Sequence, residues 1–94
     1  MHLLITYDVS TTTPEGQRRL RKVARACEDF GQRVQKSVFE CRVGPAEWAK
    51  FKFRLLKEMD AKHDSIRVYF LDASIRVEHY GSGEPTDLSG PLII

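Results

Sequence analysis

Hydrophobic positions along this chain move between continuous runs, helical spacing and strict alternation, and each change marks an element. At the start, Leu3, Leu4 and Ile5 lead into Thr6, Tyr7, Asp8 and Val9. An apolar run closed by polar residues predicts a strand buried on both faces, in the middle of a sheet. Thr11, Thr12 and Thr13 precede Pro14, which predicts a threonine N-cap with proline at the first helical position. Leu20, Val23, Ala24, Cys27 and Phe30 then recur at helical spacing, and Gly31 supplies the stop. From Gln32 to Val43 the period falls to two, with Phe39, Cys41 and Val43 on one parity and Val34 on the other. That break predicts two short strands, or one strand bent by a bulge near Lys36 and Ser37.

Gly44 and Pro45 open a second helix with a buried stripe of Trp48, Phe51, Leu55, Leu56 and Met59. Lys52 falls at the edge of that stripe, as a snorkelling stem. His63, Asp64 and Ser65 read as a turn, and Ile66, Val68 and Phe70 alternate as a strand. Asp72, Ala73 and Ser74 make a further turn before a last full strand from Ile75 to Tyr80.

The order strand, helix, paired strands, helix, strand, strand predicts an α+β fold, the ferredoxin-like (split βαβ) sandwich. Its antiparallel sheet carries two helices on one face and occupies residues 1–81. Residues 82–94 change character: Gly83, Pro85, Gly90 and Pro91 form a loop-like stretch closed by Leu92, Ile93 and Ile94. Three such aliphatics need an apolar surface, and a strand added to the sheet edge of a second copy provides one. Fold alone assigns no function.

Composition narrows the class. At 94 residues the chain makes one domain, and no apolar run approaches the roughly 20 residues of a membrane span. No basic n-region with a small-residue cleavage site stands at the N-terminus, so a cytoplasmic protein is expected. Cys27 and Cys41 have no metal-type spacing and read as reduced core thiols. Net charge is only +2, yet residues 1–43 hold eight Lys/Arg against five Asp/Glu, while residues 44–94 hold seven against eight. The excess comes from Arg18, Arg19, Arg21, Lys22 and Arg25, with no acid at i±4 inside the cluster. Four of them centre opposite the apolar stripe, with Arg19 on the flank. The stripe is either the solvated face of an amphipathic helix or a phosphate-binding face, for which its single sign is suited.

Candidate chemistry is sparse. No serine stands in a Gly-x-Ser-x-Gly turn, no glycine loop cradles phosphate, and His2, His63 and His79 are scattered without ligand spacing. Asp8, at the end of the first strand beside Tyr7, is the one carboxylate with a conspicuous setting. One carboxylate is a poor site for a hard cation, which takes several oxygen ligands. Two readings stand side by side. A two-fold axis brings two copies of Asp8 together around a metal acting as Lewis acid on a phosphodiester, or Asp8 caps the following helix or pairs with an arginine. A single-strand RNA-binding module of similar topology is a weaker alternative, because no Lys/Arg-Gly-Phe/Tyr strand pattern surrounds Phe39 or Tyr69.

These residues carry a resemblance. Tyr7-Asp8-Val9 ends the first strand, Arg18, Arg19 and Leu20 follow in a basic helix, and Gly31 precedes Val34-Gln35-Lys36-Ser37-Val38-Phe39-Glu40. Together they resemble the small CRISPR-associated protein of the Cas Two family, companion of the Cas integrase in spacer acquisition, over nearly the whole chain. The resemblance implies a ferredoxin-like homodimer whose C-terminal strand packs on the partner's sheet. It implies a metal-dependent endonuclease acting on single-stranded RNA or double-stranded DNA. Catalytic residues would be Asp8 and Tyr7, with magnesium (or manganese) held between subunits by Asp8. Nucleic acid would be bound by Arg18, Arg19, Arg21, Lys22, Arg25 and Phe39. It equally implies a non-catalytic role, in which the dimer bridges two integrase dimers while DNA lies across them.

Overall fold

The computed structural model describes residues 1–72 and 76–83. In chain order the elements are β1 (His2–Asp8), α1 (Pro14–Phe30), β2 (Gly31–Gln35), β3 (Val38–Arg42), α2 (Pro45–Glu58), β4 (Ser65–Phe70) and β5 (Arg76–Gly81). The sheet runs β2-β3-β1-β4-β5, with every neighbouring pair antiparallel. This is the ferredoxin-like α+β arrangement, extended by β5 at one edge. The strand start at Ile75 and the tail from Glu84 to Ile94 lie outside the described residues.

Both helix starts follow from local chemistry. Thr13 Oγ1 accepts from the Gly16 amide at 3.1 Å, and Pro14 occupies the first turn of α1. Glu47 Oε1 accepts from the Gly44 amide at 3.1 Å ahead of α2. At its far end α1 passes into β2 with no loop. Gly31 permits this because a Cβ there would collide with Cys41 Sγ across the ladder and lie 2.6 Å from the Glu40 carbonyl.

Leu3, Ile5 and Tyr7 of β1 are buried with Phe39 and Cys41 of β3 and Ile66, Val68 and Phe70 of β4. Val23, Ala26 and Cys27 from α1 and Trp48, Phe51 and Leu55 from α2 complete the core. Its aromatics interlock: Phe30 stacks on Phe51 at 4.8 Å, and Trp48 meets Phe51 and Phe70 edge-on at 5.7 and 5.8 Å. Both thiols are free and buried, and burial raises the Cys27 pKa and pushes that of Cys41 up to about 11. Among the described residues no helix is long and apolar enough to cross a membrane.

Two expectations change. The central strand is not buried on both faces: Leu3, Ile5 and Tyr7 point into the core, whereas Leu4 and Thr6 are half-buried and Asp8 is exposed. Both helices pack on one side, so the other sheet face has no covering layer among the described residues. Leu56 does not join the buried stripe of α2, because one step of 100° past Leu55 carries it off the core side. Val34 is the residue that breaks parity. Residues 31–42 form two strands, with Lys36 and Ser37 as the turn, and the register slips between Arg33 and Gln35. Lys52 gains a physical account as well: its ammonium lies 3.7 Å from the Glu78 carboxylate and 5.1 Å over the Tyr80 ring.

One buried carboxylate ties these parts together. Asp64 is fully buried, and its side chain accepts from the Ser10 amide at 3.1 Å and the Asp60 amide at 2.9 Å. Arg19 Nε donates to it at 2.8 Å, and the Arg19 guanidinium reaches its other oxygen at 3.4 Å. Its backbone carbonyl accepts from the Ser82 amide at 2.8 Å. The exit of β1, the first turns of α1, the entry to β4 and the end of β5 thus meet at one residue.

Candidate acidic site and nucleic-acid interface

Asp8 ends β1 opposite Ser65, and Thr6 lies opposite Arg67. Alternation puts Thr6, Asp8, Ser65 and Arg67 on the uncovered sheet face. With Tyr7 they line a depression of about 270 Å³. Asp8 is exposed, and neither of its alternative local roles holds among the described residues. The cap of α1 is Thr13, and among the described residues no hydrogen bond or ion pair engages the Asp8 side chain. The cation that the fold sets in this depression is Arg67, not an arginine of α1. Sequence reasoning passed over Arg67 because only the β1–β4 register makes it a neighbour.

The Tyr7 ring and Phe39 are turned to the core side, away from the Asp8 carboxylate, although Tyr7 borders the depression. Adjacent residues on a strand face opposite ways, so Tyr7 points under the helices while Asp8 points out. The Tyr7 hydroxyl donates to the Lys36 carbonyl at 3.3 Å, and its ring stacks on Phe39 at 6.1 Å. Burial raises the pKa of the phenol. Phe39 is fully buried, with the Arg33 guanidinium 4.7 Å above its ring.

The basic residues divide. Arg18, Arg21, Lys22 and Arg25 are exposed on the outer surface of α1, whereas Arg19 turns inward onto Asp64. The hydrogen bond to Asp64 raises the Arg19 pKa. Arg19 therefore holds the fold together at the point where the other four face solvent. Docking of the helices adds a cation absent from the cluster in sequence: Arg21, Lys22, Arg25, Arg54 and Glu58 line an interhelical groove of about 320 Å³. Lys22 lies 3.8 Å from Glu58, and Arg54 lies 2.6 Å from Asp29, so these two are partly neutralised. Arg18, Arg21 and Arg25 have no carboxylate partner among the described residues. On the other flank of α1 a second groove of about 360 Å³ is lined by Tyr7, Leu20, Arg21, Ala24, Arg33, Lys36 and Ser37. Within one subunit the cations of α1 and Asp8 therefore lie on opposite sides of the sheet.

The histidines are engaged locally. His2 Nε2 lies 2.7 Å from Glu40, His63 Nδ1 3.2 Å from Asp60, and His79 Nε2 2.7 Å from the Ser82 carbonyl. No group of three or more His, Cys, Asp or Glu side chains among the described residues is placed to hold a metal ion. The acidic depression supplies one carboxylate with the hydroxyls of Thr6 and Ser65. These are hard oxygen donors of the kind magnesium takes, but fewer than the about six oxygens that fill its shell.

Comparison with known proteins shows the family. A family model described as CRISPR associated protein Cas2 matches residues 1–76. The chain is 57% identical over 96 residues to the CRISPR-associated endoribonuclease Cas2 of Chlorobaculum tepidum, covering 100% of both. It is 58% identical over 96 residues to the CRISPR-associated endoribonuclease Cas2 of Nitratidesulfovibrio vulgaris, covering 100% of this chain and 94% of that one. A crystal structure of Streptococcus pyogenes Cas2 at pH 6.5 matches with a TM-score of 0.70 and 59% identity, over 76% of this chain and 86% of that one.

Proposed function

This chain belongs to the CRISPR-associated protein Cas2 family, and from that premise we propose that it is a homodimeric, magnesium-dependent endonuclease of CRISPR adaptation. The observation that carries the reading is the state of Asp8: an exposed carboxylate, without a partner among the described residues, at the end of the central strand. A rigid strand end on an uncovered face is where a second copy can bring a second carboxylate. Two Asp8 side chains across a two-fold axis, with phosphate oxygens and water, would complete a hard-cation shell that one subunit leaves half made. Magnesium, or manganese, held there supplies positive charge at a phosphodiester oxygen. The chain's own part is to hold the Asp8 carboxylates in register at the end of the central strand. Arg67 contributes a positive charge in the same depression. Tyr7, buried beneath, stiffens the strand end by packing and by its hydrogen bond to Lys36. The names of the relatives favour RNA as the substrate.

A second reading has its own observation. The cations of α1 lie on the helix side, away from Asp8 of the same subunit. Duplex DNA lying along that surface is bound through its backbone without being presented to the carboxylate. In this reading the dimer is a cytoplasmic scaffold that bridges two Cas integrase dimers during spacer integration. Cleavage of single-stranded RNA and duplex DNA, with and without magnesium, separates the two when wild type is run beside Asp8→Asn. Cleavage that requires both magnesium and Asp8 supports the nuclease. Absence of Asp8-dependent cleavage, with salt-sensitive duplex binding retained, overturns it in favour of the scaffold.

A further inference from the structure

The groove between α1 and the β2–β3 hairpin combines features that a duplex-backbone surface has no use for. Its lining is apolar at Leu20, Ala24 and Tyr7 and basic at Arg21, Arg33 and Lys36. Phosphates of a duplex need cations alone, and paired bases do not leave the stack to meet an apolar lining. A splayed-out nucleotide needs both, an apolar bed for the base and a cation for its phosphate. The volume of about 360 Å³ falls within the roughly 300–1,000 Å³ range of small-ligand sites.

The basic lining is ordered in advance. Arg33 donates to Glu28 at 3.1 Å and to the Lys36 carbonyl, and its guanidinium lies over Phe39. The same carbonyl accepts from Tyr7, so the Lys36–Ser37 turn is pinned from below and from the side. Arg21 has no partner among the described residues and is available to a phosphate. We propose that this groove holds one unpaired nucleotide, its base on Leu20 and Ala24 and its phosphate on Arg21 and Lys36. The inference rests on the reading of the protein as nucleic-acid-binding, and it adds that single-stranded ends are preferred over blunt ones.

The test compares a blunt DNA duplex with the same duplex carrying a one-nucleotide unpaired end, both fluorescently labelled. Wild type is expected to bind the unpaired end several-fold more tightly. Ala24→Trp fills the groove from a half-buried position on α1, and is expected to bring the ratio to one while leaving blunt-duplex affinity intact. Lys36→Gln, at an exposed turn residue whose backbone contacts are retained, is expected to lower affinity for the unpaired end selectively, and it stands in should Ala24→Trp melt early. Equal wild-type affinity for the two duplexes overturns the proposal, as does a preference that survives both substitutions. Absence of any salt-dependent duplex binding in wild type removes the underlying nucleic-acid reading as well, and is distinguishable for that reason.

Discussion

Replacing Asp64 with alanine removes the acceptor on which three segments converge, and leaves the backbone carbonyl that holds the end of β5. The carboxylate takes the Ser10 amide at 3.1 Å, the Asp60 amide at 2.9 Å and Arg19 Nε at 2.8 Å, with no solvent exposure of its own. Deleting it leaves two partly buried amides and a guanidinium unsatisfied. An unmade hydrogen bond at a buried donor costs about 1–3 kcal/mol, and breaking a buried ion pair by removing one partner costs about 3–5 kcal/mol. Because the amides and Arg19 are only partly buried, the lower end applies, about 3 kcal/mol. A chain of this size is stable by only about 5–14 kcal/mol, and each kcal/mol moves the midpoint by about 4–8 °C. Asp64→Ala is therefore expected to melt about 12–24 °C below wild type, by circular dichroism at one fixed protein concentration.

The acid limb gives an independent check. Burial raises the Asp64 pKa, but the Arg19 hydrogen bond and the Asp60 and Ser10 amides outweigh it and hold the carboxyl below its ordinary value. A carboxyl depressed in the folded state contributes its stability above the unfolded pKa of about 3.9, and loses it as pH falls from there through the folded value. Wild type is expected to lose that contribution on acidification, and Asp64→Asn to have none to lose. A midpoint for Asp64→Ala within 2–3 °C of wild type (about half a kcal/mol), or equal acid slopes for wild type and Asp64→Asn, would refute the reasoning.

Charge reversal at Arg18, Arg21 and Arg25 is expected to weaken duplex binding, and to flatten the log–log salt dependence by about 0.9 for each phosphate no longer neutralised, measured by anisotropy between low and high salt. Cys27 and Cys41 are expected to resist thiol reagents in the folded protein. With the Cys41 pKa pushed up to about 11, only about a thousandth of it is thiolate at pH 8; stoichiometric labelling within minutes, without denaturant, would contradict the burial. Gly81 adopts φ of 94°, and a Cβ there would strike the Asp64 carbonyl. Gly81→Ala is accordingly expected to cost at least about 1–2 kcal/mol, read as a lowered urea midpoint, whereas a neutral outcome would mean the β5 end is free to shift.

The elements were legible in the sequence because their causes are local. Thr13 and Pro14 start α1, the spacing of Val23 and Cys27 sets its buried side, and the wrong parity of Val34 announces the slipped register before β3. The family was legible too, since its motif is contiguous around Tyr7-Asp8 and Gln35-Lys36-Ser37. What stayed hidden depends on contacts between distant residues. Five cations of α1 look equivalent in sequence, and only Asp64, 45 positions away from Arg19, decides which one is structural. Arg67 becomes a neighbour of Asp8 through the β1–β4 register, and Arg54 joins Arg21 and Arg25 through helix docking. Leu4, Thr6 and Asp8 look interior in a run of apolar residues, but which face of a strand is covered depends on where the helices pack. Periodicity records how a segment turns about its own axis, and carries no information about which other segment comes to lie against it. That second quantity, set by the whole packed core, puts Asp8 on the open face and the unpaired arginines on the other side.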